Sequence, residues 1–167
     1  KETSLGERRV ALTPDSAVQL QKLGYDCLVE KNSGLAAGFS DEQYKTAGVE
    51  IVGTPKKLTE ACDVIVKVLP PSESELQELS SSKTLISLFY PGSNEALLLL
   101  AKPSESNVIA MAMVPRTSRA PKLDVLSSLA NISGYRAAID AHNNIGRFFI
   151  GKMTTAGKTL PATVVGV

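Results

Sequence analysis

The most chemically dense stretch of the chain is Val114 to Ser128. Arg116, Thr117, Ser118, Arg119, Asp124 and Ser127 fall within twelve positions there. Arginine forks bind carboxylate or phosphate bidentately, and hydroxyls beside a helix start can donate to or accept from a polar ligand. Asp124 and Ser127 are three apart, so at the head of a helix they face the same side. Two readings stand at this level: a loop that holds an anionic or polar ligand, or a solvated connection with capping residues.

Other motifs are weaker. Gly151 to Thr159 resembles a phosphate-binding loop, but five residues separate Gly151 from Gly157 where that loop has four, and no buried strand precedes it. A turn is the better account. No Gly-x-Gly-x-x-Gly occurs, yet Thr163-Val-Val-Gly-Val167 suits either the first strand of a dinucleotide-binding βαβ unit or an ordinary buried strand. Lys67 lies in the apolar run Asp63 to Leu69. Its head either snorkels to water at the strand end or faces the carboxyl edge of a parallel sheet, where such sheets bind ligands. One histidine, His142, and two separated cysteines, Cys27 and Cys62, argue against a protein-built metal site and for free thiols over a disulfide.

These residues need elements to hold them. Thr13-Pro14-Asp15 is a helix start, with Ala17, Val18, Leu20 and Leu23 at helical spacing and Gly24 as the stop. Ser40 with Gln43 is a capping-box pattern that opens a helix ending at Gly48. Strands are expected at Cys27–Glu30, Glu50–Val52, Asp63–Leu69, Thr84–Phe89 and Asn107–Met113. Helices are expected at Thr54–Ala61, Ser72–Leu79 and Ser93–Ala101, then a long one from Lys122 to about Phe149, open to breaks at Gly134 and Gly146. Apolar strands alternating with helices predict a parallel sheet covered on both faces.

Composition sets outer bounds. At 167 residues, 43% hydrophobic and 21% charged, the chain can bury one core and part of a second. A formal charge of +1 gives no electrostatic case for nucleic acid or an anionic membrane. Fully apolar runs such as Ala96 to Ala101 are far short of a membrane span, and the charged start is unlike a signal peptide.

Several segments carry a family resemblance. Lys1-Glu-Thr-Ser-Leu-Gly-Glu7-Arg-Arg9-Val-Ala-Leu-Thr-Pro14 resembles a signature shared by alanine dehydrogenases and the NAD(H)-binding subunit of transhydrogenases. Leu88-Phe-Tyr90-Pro stands where alanine dehydrogenases carry a substrate-binding histidine, and is similar to the transhydrogenase form. Val114 to Ala120 is similar to the transhydrogenase loop that approaches the nicotinamide. Leu126 to Ala137, Gly146 to Phe149 and Thr155 to Lys158 resemble that subunit's long connecting helix and the turn after it. Pro121 departs from the pattern, which usually has glutamine there.

The resemblance implies a doubly wound (flavodoxin-like) parallel α/β domain over residues 1–121. A connecting helix and turn would follow over 122–160, and the first strand of a truncated Rossmann NAD-binding domain over 161–167. It implies the soluble NAD(H)-binding part of a proton-translocating NAD(P) transhydrogenase, an oxidoreductase passing hydride between NAD(H) here and NADP(H) on a partner domain. No catalytic acid or base and no metal is required; the protein places two rings and excludes water. Arg116, Thr117, Ser118, Arg119, Asp124 and Ser127 are the implied NAD(H)-binding residues. The implied partners are the NADP(H)-binding domain, a proton-translocating membrane domain and a second copy in a homodimer. The implied location is the soluble face of an inner membrane, on the bacterial cytoplasmic or mitochondrial matrix side. The alternatives are an alanine-dehydrogenase-like oxidoreductase and a non-catalytic dimerisation fragment.

Overall fold

The computed structural model describes residues 1–77, 79, 82–93, 95, 106–115, 117, 119 and 123–163. They fall into two compact units, Lys1–Val114 and Pro115–Val167.

The first unit begins with the helix that Thr13 announces. α1 (Pro14–Lys22) has Thr13 and Ser16 in a reciprocal capping box, Pro14 in its first turn and Asp15 beside its positive end. Gly24 ends it at φ +90, its N–H returning to the Gln21 carbonyl. β1 (Leu28–Glu30) leads to a 3₁₀ turn at Leu35–Ala37, which Gly38 closes at φ +89. Ser40 and Gln43 form the expected box at the head of α2 (Asp41–Thr46). β2 (Glu50–Val52) then pairs in parallel with β1, Val29 opposite Ile51.

A first core lies over this pair. Ala17, Cys27, Val29, Tyr44 and Val49 are buried together, flanked by Leu12, Leu20, Phe39, Ala47 and Ile51. Tyr44 is fully buried, sits edge-on to Phe39 at 6.4 Å, and donates its hydroxyl to the Leu12 carbonyl at 2.6 Å. The neighbouring backbone leaves no room for a side chain at Gly34. A Cβ there would lie 2.7 Å from Tyr44 Cε2 and 2.9 Å from the Phe39 carbonyl oxygen. Gly34→Ala therefore costs about 1–3 kcal/mol through overpacking, since the Phe39 contact is with backbone that cannot swing away. Urea unfolding of the variant checks this, and an unchanged midpoint would contradict the contact.

α3 (Pro55–Ala61) starts at its Thr54 cap, and Lys83 Nζ donates to the Glu60 and Cys62 carbonyls at its far end. β3 (Val64–Val66), α4 (Glu73–Gln77), β4 (Thr84–Ser87) and β5 (Asn107–Ala110) follow. The three strands form a separate parallel sheet in the order β3-β4-β5, with Ile65 opposite Leu85 and Leu85 opposite Val108. Parallel neighbours of this kind need crossover connections rather than hairpins, as the alternating pattern predicts. Leu76, Leu79 and Leu85 make a second core with Ile65 and Val108 against it.

Some expectations shift. β3 stops at Val66 and not Leu69, because its last ladder partner is Ile86 and two prolines without N–H groups follow at 70 and 71. β5 stops at Ala110, opposite the end of β4, and the chain winds into a 3₁₀ turn over Met111–Met113. Among the described residues, the two faces of β3 differ in burial. Ile65, Leu85 and Val108 turn toward the leucines of the second core, while Val64 and Val66 on the opposite face are 45% and 49% exposed. The helix expected at Ser93–Ala101 falls almost wholly outside the described residues.

The second unit is dominated by α5 (Val125–Asn144), which crosses Gly134 without a break and ends before Gly146 at φ +63. His142 in its last turn stacks edge-on to Phe149 at 4.9 Å. The segment read as a turn holds more structure than expected. β6 (Lys152–Thr154) and β7 (Gly157–Thr159) pair antiparallel around Thr155-Ala156. The phosphate-loop lookalike is thus a hairpin and not a loop leading into a helix. Of the final strand, residues 164–167 lie outside the described residues.

Candidate functional site

The loop that opens the second unit supplies the candidate site. Thr117 and Arg119 are exposed to solvent. Arg116, Ser118 and Pro121 lie outside the described residues. The clearest geometry is at the helix head, where Asp124 is the N-cap of α5. One carboxylate oxygen accepts the Ser127 backbone N–H at 3.0 Å, and the other accepts the Ser127 hydroxyl. Ser128 donates its hydroxyl to the Asp124 carbonyl at 3.4 Å.

Local chemistry explains this arrangement. The first N–H groups of a helix have no internal partner, and an aspartate before the first turn satisfies one while lying at the positive end of the helix dipole. Asp124 is half-buried and Ser127 exposed, so the helix head carries a fixed carboxylate beside a hydroxyl. The spacing of three, legible in the sequence, is what brings them together. With the serine proton given to Asp124, such a pair can accept from an amide or hydroxyl of a ligand through its remaining oxygen lone pairs. It has no need to move a proton.

A second set of charges sits in the first unit. Lys67 follows β3 at the carboxyl end of a parallel strand, where ligands often bind. Its ammonium does not snorkel. Nζ donates to both Glu75 oxygens, at 2.7 and 2.8 Å, and the lysine side chain is only 12% exposed. Glu75 also accepts from the Ser72 N–H and hydroxyl at the start of α4. Burial pushes its carboxyl up, but Lys67 and Ser72 together hold it below the ordinary value. Sequence reasoning missed Glu75 because eight positions and a strand-to-helix turn separate it from Lys67. Glu2 reaches the same strand end, accepting the Val68 N–H at 2.7 Å.

Glu7 and Arg9 form the other close pair. Arg9 Nε donates at 2.9 Å and its terminal nitrogen at 2.6 Å, while the Arg9 backbone N–H donates to the same carboxylate at 2.8 Å. The Arg9 hydrogen bond holds the Glu7 carboxyl down from 4.5 to about 2, and the guanidinium is raised in turn. A carboxyl lowered on folding contributes stability that is complete above its unfolded value and is lost as pH falls through its folded one. Melting temperature therefore declines between about pH 5 and pH 2, and Glu7→Gln makes that decline shallower. Parallel pH profiles for the two proteins would contradict the role of this pair.

Among the described residues no group of three or more His, Cys, Asp or Glu is placed to hold a metal ion, and no helix is long and apolar enough to cross a membrane.

Comparison with known proteins gives a consistent picture. The chain is 56% identical over 162 residues to the NAD(P) transhydrogenase subunit alpha of Cereibacter sphaeroides, covering 97% of this chain and 31% of that one. Its fold is similar to the crystal structure of transhydrogenase from Sinorhizobium meliloti, with a TM-score of 0.90, 36% identity, and coverage of 97% of this chain and 48% of the other. An L-alanine dehydrogenase structure is more distant, with a TM-score of 0.76 and 25% identity over 88% of this chain and 41% of that one. The chain thus spans between about a third and a half of these relatives. The profile of the alanine dehydrogenase/PNT N-terminal domain matches residues 1–133, and the chain belongs to that family.

Proposed function

We propose that this chain is the N-terminal part of the NAD(H)-binding component of a proton-translocating NAD(P) transhydrogenase. The observation that carries the reading is the 56% identity over 97% of the chain to a transhydrogenase alpha subunit. Within the chain, the reading rests on the loop from Arg116 to Ser127. Arg116, Thr117, Ser118 and Arg119 would approach the nicotinamide half of NAD(H), and Asp124 and Ser127 would accept from it through their oxygens. Hydride would pass directly between the two nicotinamides, from the reduced one of NADH to the oxidised one of NADP⁺ on a partner domain or the reverse. The chain's contribution is placement and water exclusion, with no proton transfer by its own side chains.

On this reading residues 1–121 form the first domain and 122–160 the connection. Residues 161–167 open a Rossmann domain that holds the adenosine half of the cofactor. The enzyme works as a homodimer at the soluble face of an inner membrane, on the bacterial cytoplasmic or mitochondrial matrix side, joined to a proton-translocating membrane domain. Support for a dimer comes from α5, whose Ile132 and Tyr135 are 67% and 72% exposed. Large apolar side chains exposed along one helix suit a protein contact.

The test is a fluorescence titration of NADH into residues 1–167 and into the full-length subunit. The longer protein binds at least about tenfold more tightly, a difference of about 1.4 kcal/mol. Equal affinities would remove the claim that the adenosine half is held outside this segment. The alanine-dehydrogenase-like alternative is separated by a second measurement on the full-length protein. Oxidation of NADH driven by pyruvate and ammonium would favour it, and the segment Leu88-Phe-Tyr90-Pro, which has no histidine, argues against it.

A further inference from the structure

We draw no further inference here: the strongest candidate, the half-open apolar face of the three-stranded sheet around Val64, Val66 and Ile109, carries nothing because the structure does not show what covers it.

Discussion

Replacing Tyr44 with alanine lowers the unfolding free energy by about 3–5 kcal/mol, the range for deleting a large aromatic from a packed core. Two losses add. The ring is fully buried among Ala17, Val29 and Val49, so its removal leaves a cavity that the flanking helix and strands can close only in part. The Leu12 carbonyl also loses its hydroxyl donor at 2.6 Å. Tyr44→Phe isolates the second loss and costs about 1 kcal/mol, the net worth of one neutral hydrogen bond. Urea midpoints at unchanged slope measure both. A Tyr44→Ala protein within about 1 kcal/mol of wild type would mean that the first core does not depend on this ring.

The second large effect is on activity. If the proposed function holds, Asp124→Ala in the full-length protein slows hydride transfer about 10²-fold, the scale on which a misplaced reacting group is penalised. The same change costs about 1 kcal/mol of stability through loss of the N-cap of α5. Asp124→Asn separates the two roles, because asparagine caps a helix about as well as aspartate. If the aspartate's charge acts on the cofactor, the asparagine variant keeps its melting temperature and loses rate. If the aspartate only sets the helix start, the asparagine variant keeps both. Full transfer rates in the alanine variant would exclude the helix head from the nicotinamide site.

The fold was legible where local chemistry decides it. Thr13, Pro14 and Gly24 mark both ends of α1, and the Ser40–Gln43 box marks the start of α2. β2 spans Glu50–Val52, as its residues alone indicate. The helix through Gly134 was less certain from the sequence, because glycine weakens a helix without necessarily ending one. Nothing in periodicity marks Tyr44 as the centre of the first core. It lies in a six-residue helix, and its burial depends on Gly34 and Leu12, which the chain brings in from a turn and from the segment before α1. The open face at Val64 and Val66 was hidden for a related reason. An apolar β-branched run reports that a strand favours burial, and not whether anything lies over both its faces. At the candidate site, the spacing of Asp124 and Ser127 anticipated that they share one side of the helix head, and not the hydrogen bonds that join them. The ion pair of Lys67 with Glu75 had no such signature.

Glu75 also constrains how the sequence can vary. Its two oxygens accept two bonds from Lys67 and two from Ser72, so one carboxylate serves a strand end and a helix start together. Glutamine has one carbonyl oxygen for these donors, and aspartate is a methylene shorter. Neither is a neutral step. Once Lys67 is exchanged for an apolar residue, the demand for a carboxylate falls to the helix cap alone, which shorter side chains can meet. A change at position 75 is therefore least costly in a chain whose position 67 has lost its charge.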